Sequence, residues 1–225
     1  MLVAGKVAVV TGIGPGMGRE IALLLARNGA SLAIGARNED RLKGVAAEIE
    51  ALGRPVLFQA TDLTSRDSCR KLVHAALERF GRVDVLVQNG HDPGDGKLVE
   101  DADPEVWRRN LDCNFFGALH LVQACLPSMK QQRDGRIILV NSGGAFQPPP
   151  GLASYSAGKA AMASLVRSLA VELGPHGIRA NGIHLGMVDG ENADGWIREQ
   201  ARAQGKTDEQ MRREFATQRY PIQHI

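Results

Sequence analysis

Short, mostly aliphatic runs alternate with longer stretches in which apolar residues recur every three or four positions, and this rhythm spans residues 6–185. Residues 6–11 (KVAVVT), 31–35, 55–59, 83–87 (VDVLV), 136–141 (RIILVN) and 178–185 have the length and composition of strands. Between them, residues 16–28, 38–52, 66–80, 104–130 and 153–173 carry helical spacing. Asn38 stands where the second helix needs an N-cap. Gly29, Gly53 and Gly174, the last followed by Pro175, stand where helices should stop. Continuous apolar strands belong to a parallel sheet covered on both faces. Their alternation with helices predicts a doubly wound α/β fold. No linker or repeat interrupts it, so residues 1–225 are expected as one domain. From 190 to 219 the chain turns polar, with helix-compatible pieces at 195–204 and 207–217. Residues 190–225 are expected either as a cover over a substrate pocket or as a mobile helical arm.

Composition narrows the function classes. A net charge of +2 with no dense basic stripe, and only 4% aromatic residues, argue against a nucleic-acid surface. No apolar run approaches the roughly 18 residues of a membrane span. Cys69, Cys113 and Cys125 are odd in number and widely spaced, without metal-ligand spacing. With no leader-like segment at Met1, the expected setting is reducing and cytoplasmic, with the cysteines as small buried hydrophobes.

Residues 11–18 read TGIGPGMG, directly after the first strand and opening the first helix. Glycines allow a tight turn and a close backbone approach to a pyrophosphate, which the free N–H groups of a helix N-terminus attract. G-x-G-x-x-G does not fit, because position 17 is Met17; the fitting spacing is T-G-x-x-x-G-x-G, through Gly12, Gly16 and Gly18. At the end of the second strand an acid would bind a ribose hydroxyl, whereas this chain has Ala36 followed by Arg37. An arginine pairs with a 2′-phosphate, so NADP is expected over NAD.

Tyr155 and Lys159 lie four residues apart in YSAGK and share one face of a helix. A free phenol ionises near pH 10, and a neighbouring ammonium lowers that value toward the range of acid/base work. Alone, the pair is an ordinary helix-surface combination.

Together, TGIGPGMG and YSAGK at this separation resemble the short-chain dehydrogenase/reductase family in its short, single-domain form, over residues 5–189. The resemblance implies a Rossmann-like fold and an NAD(P)-dependent oxidoreductase acting on CH–OH groups, with a small carbonyl or alcohol substrate. It implies no nucleic-acid or membrane partner, and a homodimer or homotetramer joined through the long helices 104–130 and 153–173. The small residues Ala157, Gly158, Ala160, Ala161 and Ala163 would favour such contact. By position, Tyr155 is the implied proton donor or acceptor, Ser142 orients the carbonyl, and Lys159 holds the nicotinamide ribose. Asn114 in NFFG anchors a relay water. The implied cofactor contacts are Gly12, Gly16, Met17, Gly18, Arg37, Asp62 with Leu63 at the adenine, Asn89, Tyr155, Lys159 and the backbone of Val188.

The chain departs from the family pattern in three places. QNGH (Gln88–His91) replaces Asn-Asn-Ala-Gly, putting His91 where glycine is usual. Leu185-Gly186 replaces Pro-Gly, and Gly190 replaces a threonine. Relatives generally continue through another helix and a final strand, so that strand is expected to be missing here. Two other readings are a non-catalytic dinucleotide-binding regulator and a nucleotide-sugar epimerase or dehydratase; the glycine spacing disfavours the second. Residues 143–151 (GGAFQPPPG) and 189–220 are expected to border the substrate pocket.

Overall fold

The computed structural model describes residues 2–188 and 190–219, the side chains of residues 192, 218 and 219 excepted. Six strands, β1 (Val7–Thr11), β2 (Ser31–Ala36), β3 (Val56–Ala60), β4 (Val85–Gln88), β5 (Gly135–Ser142) and β6 (Ile178–Leu185), form one sheet. Their order is β3-β2-β1-β4-β5-β6, and each pairing from β3 across to β5 is parallel. The helices are α1 (Met17–Arg27), α2 (Glu39–Ala51), α3 (Arg66–Phe80), α4 (Pro104–Leu111), α5 (Gly117–Gln132), α6 (Ala153–Leu173), α7 (Glu191–Ala203) and α8 (Asp208–Arg219). This is the expected doubly wound, Rossmann-like architecture. The strand order reverses between β1 and β4, where such sheets open a crevice beyond their carboxyl ends.

Every residue of β1 and β4 is buried, as continuous apolar runs require, whereas β3 and β6 at the sheet edges keep exposed positions. The core joins Val9, Leu86 and Ile137 of the strands to Leu72, Leu121 and Met162 of the helices. Asn38 caps α2 as expected, its Oδ1 accepting from Arg41 N at 2.9 Å. Gly174, expected to end α6, keeps right-handed backbone and opens a short 3-10 turn with Pro175. The reversal falls at Gly177, whose φ is 74°. The helical stretch expected over 104–130 is two helices joined by a wider π turn at Asp112–Phe116, the kind of irregularity that gathers at functional sites. All three cysteines are free thiols, and burial pushes Cys69 and Cys125 up to about 12 and Cys113 up to about 11. Among the described residues no helix is long and apolar enough to cross a membrane.

The fourth strand starts at Val85 rather than 83; the Asp84 main chain already bonds Val7 O and Arg136 N, while Val83 is diverted. Val83 N donates to Ser128 Oγ. The Asp84 carboxylate accepts from Val7 N (2.9 Å), from Lys6 Nζ (3.3 Å) and from Arg82 Nε and Nη2. Its side chain is 2% exposed, so it is the buried anion that ties β1 to β4. Asp84→Ala strands the Val7 N–H and leaves Arg82 without its carboxylate, while Lys6 keeps Asp134 at 3.0 Å, and it should cost about 2–4 kcal/mol in a urea unfolding curve.

The chain divides into two compact units, residues 1–184 and 185–225. The second is small. Ile197 and Ala201 of α7 and Met211 of α8 pack together with Met187 and Trp196, and Trp196 meets Phe215 edge-on at 5.3 Å.

Candidate active site

The crevice between β1 and β4 is built from two touching loops. Thr11 pairs with Gln88 across the strands, so Gly12 and Asn89 leave the sheet side by side. Asn89 Nδ2 donates to Gly12 O at 2.9 Å. A side chain on Gly12, whose φ is 75°, would place its Cβ 2.2 Å from Gly90 N; on Gly18, 2.1 Å from Gly12 O. These two glycines are therefore demanded by packing. Gly16 is different: it is the N-cap of α1, receives no side-chain cap, and has no neighbouring atom within 4 Å of an added Cβ. The N-terminus of α1 thus has no side-chain cap and has open space beside Gly16 at the switch point. Asn89 Oδ1 and Thr11 Oγ1, both buried there, lack a partner within the described residues. A dinucleotide pyrophosphate fits the helix N-terminus and the Thr11 hydroxyl, whereas Asn89 Oδ1 can only accept, as from a ribose hydroxyl.

The other implied cofactor residues occupy distinct places. Met17 begins α1, half-buried. Arg37 follows β2, exposed and without an ion-pair partner among the described residues, whereas its neighbours Glu39 and Asp40 both pair with Lys43 at 3.2 and 3.6 Å. Asp62 forms an Asx turn, its Oδ1 accepting from Thr64 N and Oγ1, and its side chain is exposed; Ser65, not Asp62, caps α3. Leu63 is buried beneath Gly90 and Gly117. Val188 belongs to the second unit and is 47% exposed.

Ser142, Tyr155 and Lys159 meet at the carboxyl end of β5. Ser142 Oγ accepts from Gly144 N at 3.1 Å, so this serine also shapes the turn after the strand. Burial pushes the Tyr155 phenol above its usual value, and the neighbouring Ser142 hydroxyl works in the opposite direction. Lys159 is 2% exposed, lies 5.7 Å from the centre of the Tyr155 ring, and donates from Nζ to Val140 O at 2.8 Å. Burial pushes its ammonium down to about 8. The sequence expectation that Lys159 lowers the phenol's ionisation is thus not the dominant effect; removal from water is. Asn141, missed in the sequence, ties the helix to the strand: its Nδ2 donates to Lys159 O at 3.1 Å.

Asn114 lies in the π turn, fully buried. Its Nδ2 donates to Asp92 O (2.9 Å) and Asn110 Oδ1 (2.6 Å), and its Oδ1 accepts from Asp92 N (3.1 Å). Asn110, four residues earlier and also missed, donates to the same carbonyl at 2.9 Å. Gly158 packs against Asn114 tightly enough that a Cβ would come within 3.1 Å, so part of the small-residue stripe on α6 is used inside the chain. The loop after β4 joins the two halves of the site: Asn89 touches the glycine turn, and His91 meets Tyr155 edge-on with ring centres 6.0 Å apart.

Residues 6–201 match the family model described as short chain dehydrogenase. The chain belongs to the short-chain dehydrogenase family. Within this family of oxidoreductases, the chain is 37% identical over 174 residues to 11-beta-hydroxysteroid dehydrogenase A of Sesamum indicum, a match over 77% of this chain and half of that one. In structure this short-chain dehydrogenase is similar to L-sorbose reductase from Gluconobacter frateurii, solved with NADPH and L-sorbose. That likeness has a TM-score of 0.92 at 29% identity, over 99% of this chain and 85% of the other. NAD+-bound xylitol dehydrogenase is also similar, with a TM-score of 0.85 at 30% identity over 90% and 78% of the two chains. Family membership agrees with the sequence expectation of an NAD(P)-dependent oxidoreductase acting on CH–OH groups.

Proposed function

We propose that this short-chain dehydrogenase transfers a hydride between NADP(H) and a carbonyl/secondary-alcohol pair, with Tyr155 as its acid/base group. The observation that carries this reading is the convergence of Ser142, Tyr155 and Lys159 beside a loop that also contacts the glycine turn. When bound, the nicotinamide supplies or receives the hydride. Ser142 holds the substrate oxygen, and Tyr155 gives it a proton as negative charge develops there. Lys159 holds the nicotinamide ribose. Asn114 fixes the loop after β4, and its main chain is where a relay water would bind, since both side-chain N–H groups are already donated.

A phenol is protonated at neutral pH, and burial pushes the Tyr155 ionisation further up. That is the form needed to reduce a carbonyl. Reduction should therefore fall, and alcohol oxidation rise, as pH climbs toward the phenol's ionisation; initial rates in both directions across the alkaline range check this.

Arg37 supports NADP: it is an exposed cation at the end of β2 with no carboxylate partner among the described residues. Arg37→Glu should raise KM for NADPH at least about tenfold while changing that for NADH by less than about threefold, since one charge-assisted phosphate contact is lost. The same reading includes a cytoplasmic setting and a homo-oligomer through α5 and α6, with Ala160, Ser164 and Val171 on the outward face of α6; light scattering measures its mass. The activity itself is tested by following NADPH consumption with a panel of ketones and aldehydes. Tight NADPH binding with no consumption across the panel would favour a non-catalytic regulator instead.

A further inference from the structure

We propose that Asn110 is a positioning residue for the proton relay: its amide holds the Asn114 side chain so that the relay water meets main chain and not a loose side-chain amide. The role rests on the reading of Tyr155 as proton donor and of the Asn114 main chain as the seat of that water.

The sense of each hydrogen bond leaves one arrangement. Asp92 N can only donate, so Asn114 turns its Oδ1 toward it, at 3.1 Å. Asn114 Nδ2 then lies against Asp92 O, at 2.9 Å, which uses one of its two N–H groups. The second N–H is just as deeply enclosed, since Asn114 is fully buried, and unpaired it would carry the whole cost of lost hydration. Asn110 Oδ1 accepts it at 2.6 Å. That fixes the Asn110 amide in turn, with its Nδ2 donating to Asp92 O at 2.9 Å. The three groups close a ring in which neither amide can be reversed without setting donor against donor.

Asn110 is itself fully buried, in the last turn of α4. A Cβ on Gly158 would come within 3.3 Å of Asn110 Oδ1 and 3.1 Å of Asn114 Cβ. One on Gly94, whose φ is 86°, would come within 3.6 Å of Asn110 Nδ2. The pair is thus enclosed between the loop after β4 and the helix that carries Tyr155 and Lys159. Arg109, the residue before, holds the Asp92 carboxylate at 3.0 Å from a side chain that is 57% exposed. Asn110 holds the Asp92 main chain from within. The π turn at Asp112–Phe116 departs from the regular helical ladder, so these side-chain bonds set where Asn114 lies. Without Asn110, the orphaned N–H of Asn114 would compete for any water near it, the relay water included.

Asn110→Leu keeps much the same bulk and removes both bonds. It should lower kcat for ketone reduction by about 10–100-fold, the scale of a misplacement of about 1 Å, with KM for NADPH within about twofold of wild type. Because proton return becomes slow, the solvent deuterium isotope effect on kcat should grow. Asn110→Asp keeps an oxygen for Asn114 Nδ2 and should recover most of the turnover. Asn110→Ala takes the place of the leucine variant if that one does not fold. Wild-type kcat in Asn110→Leu overturns the role. So do equal losses in the leucine and aspartate variants, which would mark packing alone. Amide hydrogen exchange needs no turnover. In the apoprotein the Asp92 N–H should exchange at least about tenfold faster in Asn110→Leu, while the Val9 and Leu86 amides of the sheet core exchange as in wild type. An Asp92 N–H equally protected in both proteins overturns the role of Asn110, whether or not the chain consumes ketones. Faster exchange in a chain that consumes none would place the failure in the reading of Tyr155, with the hold of Asn110 on Asn114 intact.

Discussion

Tyr155→Phe should lower turnover by about 10²–10⁴-fold, the range expected when a positioned acid/base group is removed, with cofactor affinity and unfolding midpoint nearly unchanged. The substitution deletes one hydroxyl and keeps the ring. The edge contact with His91 and the Lys159 ammonium 5.7 Å from the ring centre are both made by that ring. What is lost is the phenol O–H itself, beside the Ser142 hydroxyl. Kinetics, calorimetric NADPH binding and thermal unfolding on the same preparation separate the cases. A large loss of affinity would mean that the ring, not the hydroxyl, had been disturbed.

Lys159→Met should leave the apoprotein at least as stable as the wild type at pH 7, and yet inactive. The wild-type ammonium is 2% exposed, bonded to Val140 O, and faces no carboxylate within ion-pair distance among the described residues. Its pKa falls from 10.5 to about 8 for that reason. A lysine held lower in the folded state binds fewer protons there than in the unfolded chain, so stability rises with pH between the two values. Below pH 8 the full cost of the buried charge is present. Above 10.5 it is gone. The gap corresponds to roughly 3 kcal/mol at one pKa unit per 1.36 kcal/mol. Measured against Lys159→Met, which keeps most of the side chain's volume, wild-type stability should therefore climb by up to about 3 kcal/mol from pH 8 to 10.5. Denaturant unfolding at a series of pH values reads this directly. Parallel curves for the two proteins would mean that the ammonium is solvated in the folded state. The expected pattern is that of a functional group kept at the expense of stability.

The fold was legible because local and long-range signals agree. Strands such as KVAVVT are buried along their whole length, and Asn38 both reads as and is an N-cap. The glycine turn was legible for a similar reason: Gly12 and Gly18 admit no side chain where two loops touch. The rest depends on contacts between distant segments. Asn110 and Asn114 show four-residue spacing, but nothing local says that both reach the backbone of Asp92. The π turn that carries Asn114 leaves no mark in a helical pattern. The direction of the Tyr155 shift was misjudged because spacing reports the neighbouring lysine and not the loss of water around the phenol. His91 was visible only as a departure from the resemblance; its ring contact with Tyr155 belongs to the folded loop. The division at residue 184 was hidden in turn, because no change of composition marks it before the polar stretch from 190 onward.

The central claim is hydride transfer by this chain, and label transfer tests it most directly. NADPH carrying deuterium at the transferable nicotinamide position is incubated with the wild-type protein and a ketone that it consumes, and the product alcohol is weighed by mass spectrometry. The account predicts one deuterium, on the carbinol carbon, formed quickly by the wild type and only in trace by Tyr155→Phe. Alcohol formed without deuterium, or at equal rates by both proteins, would contradict it.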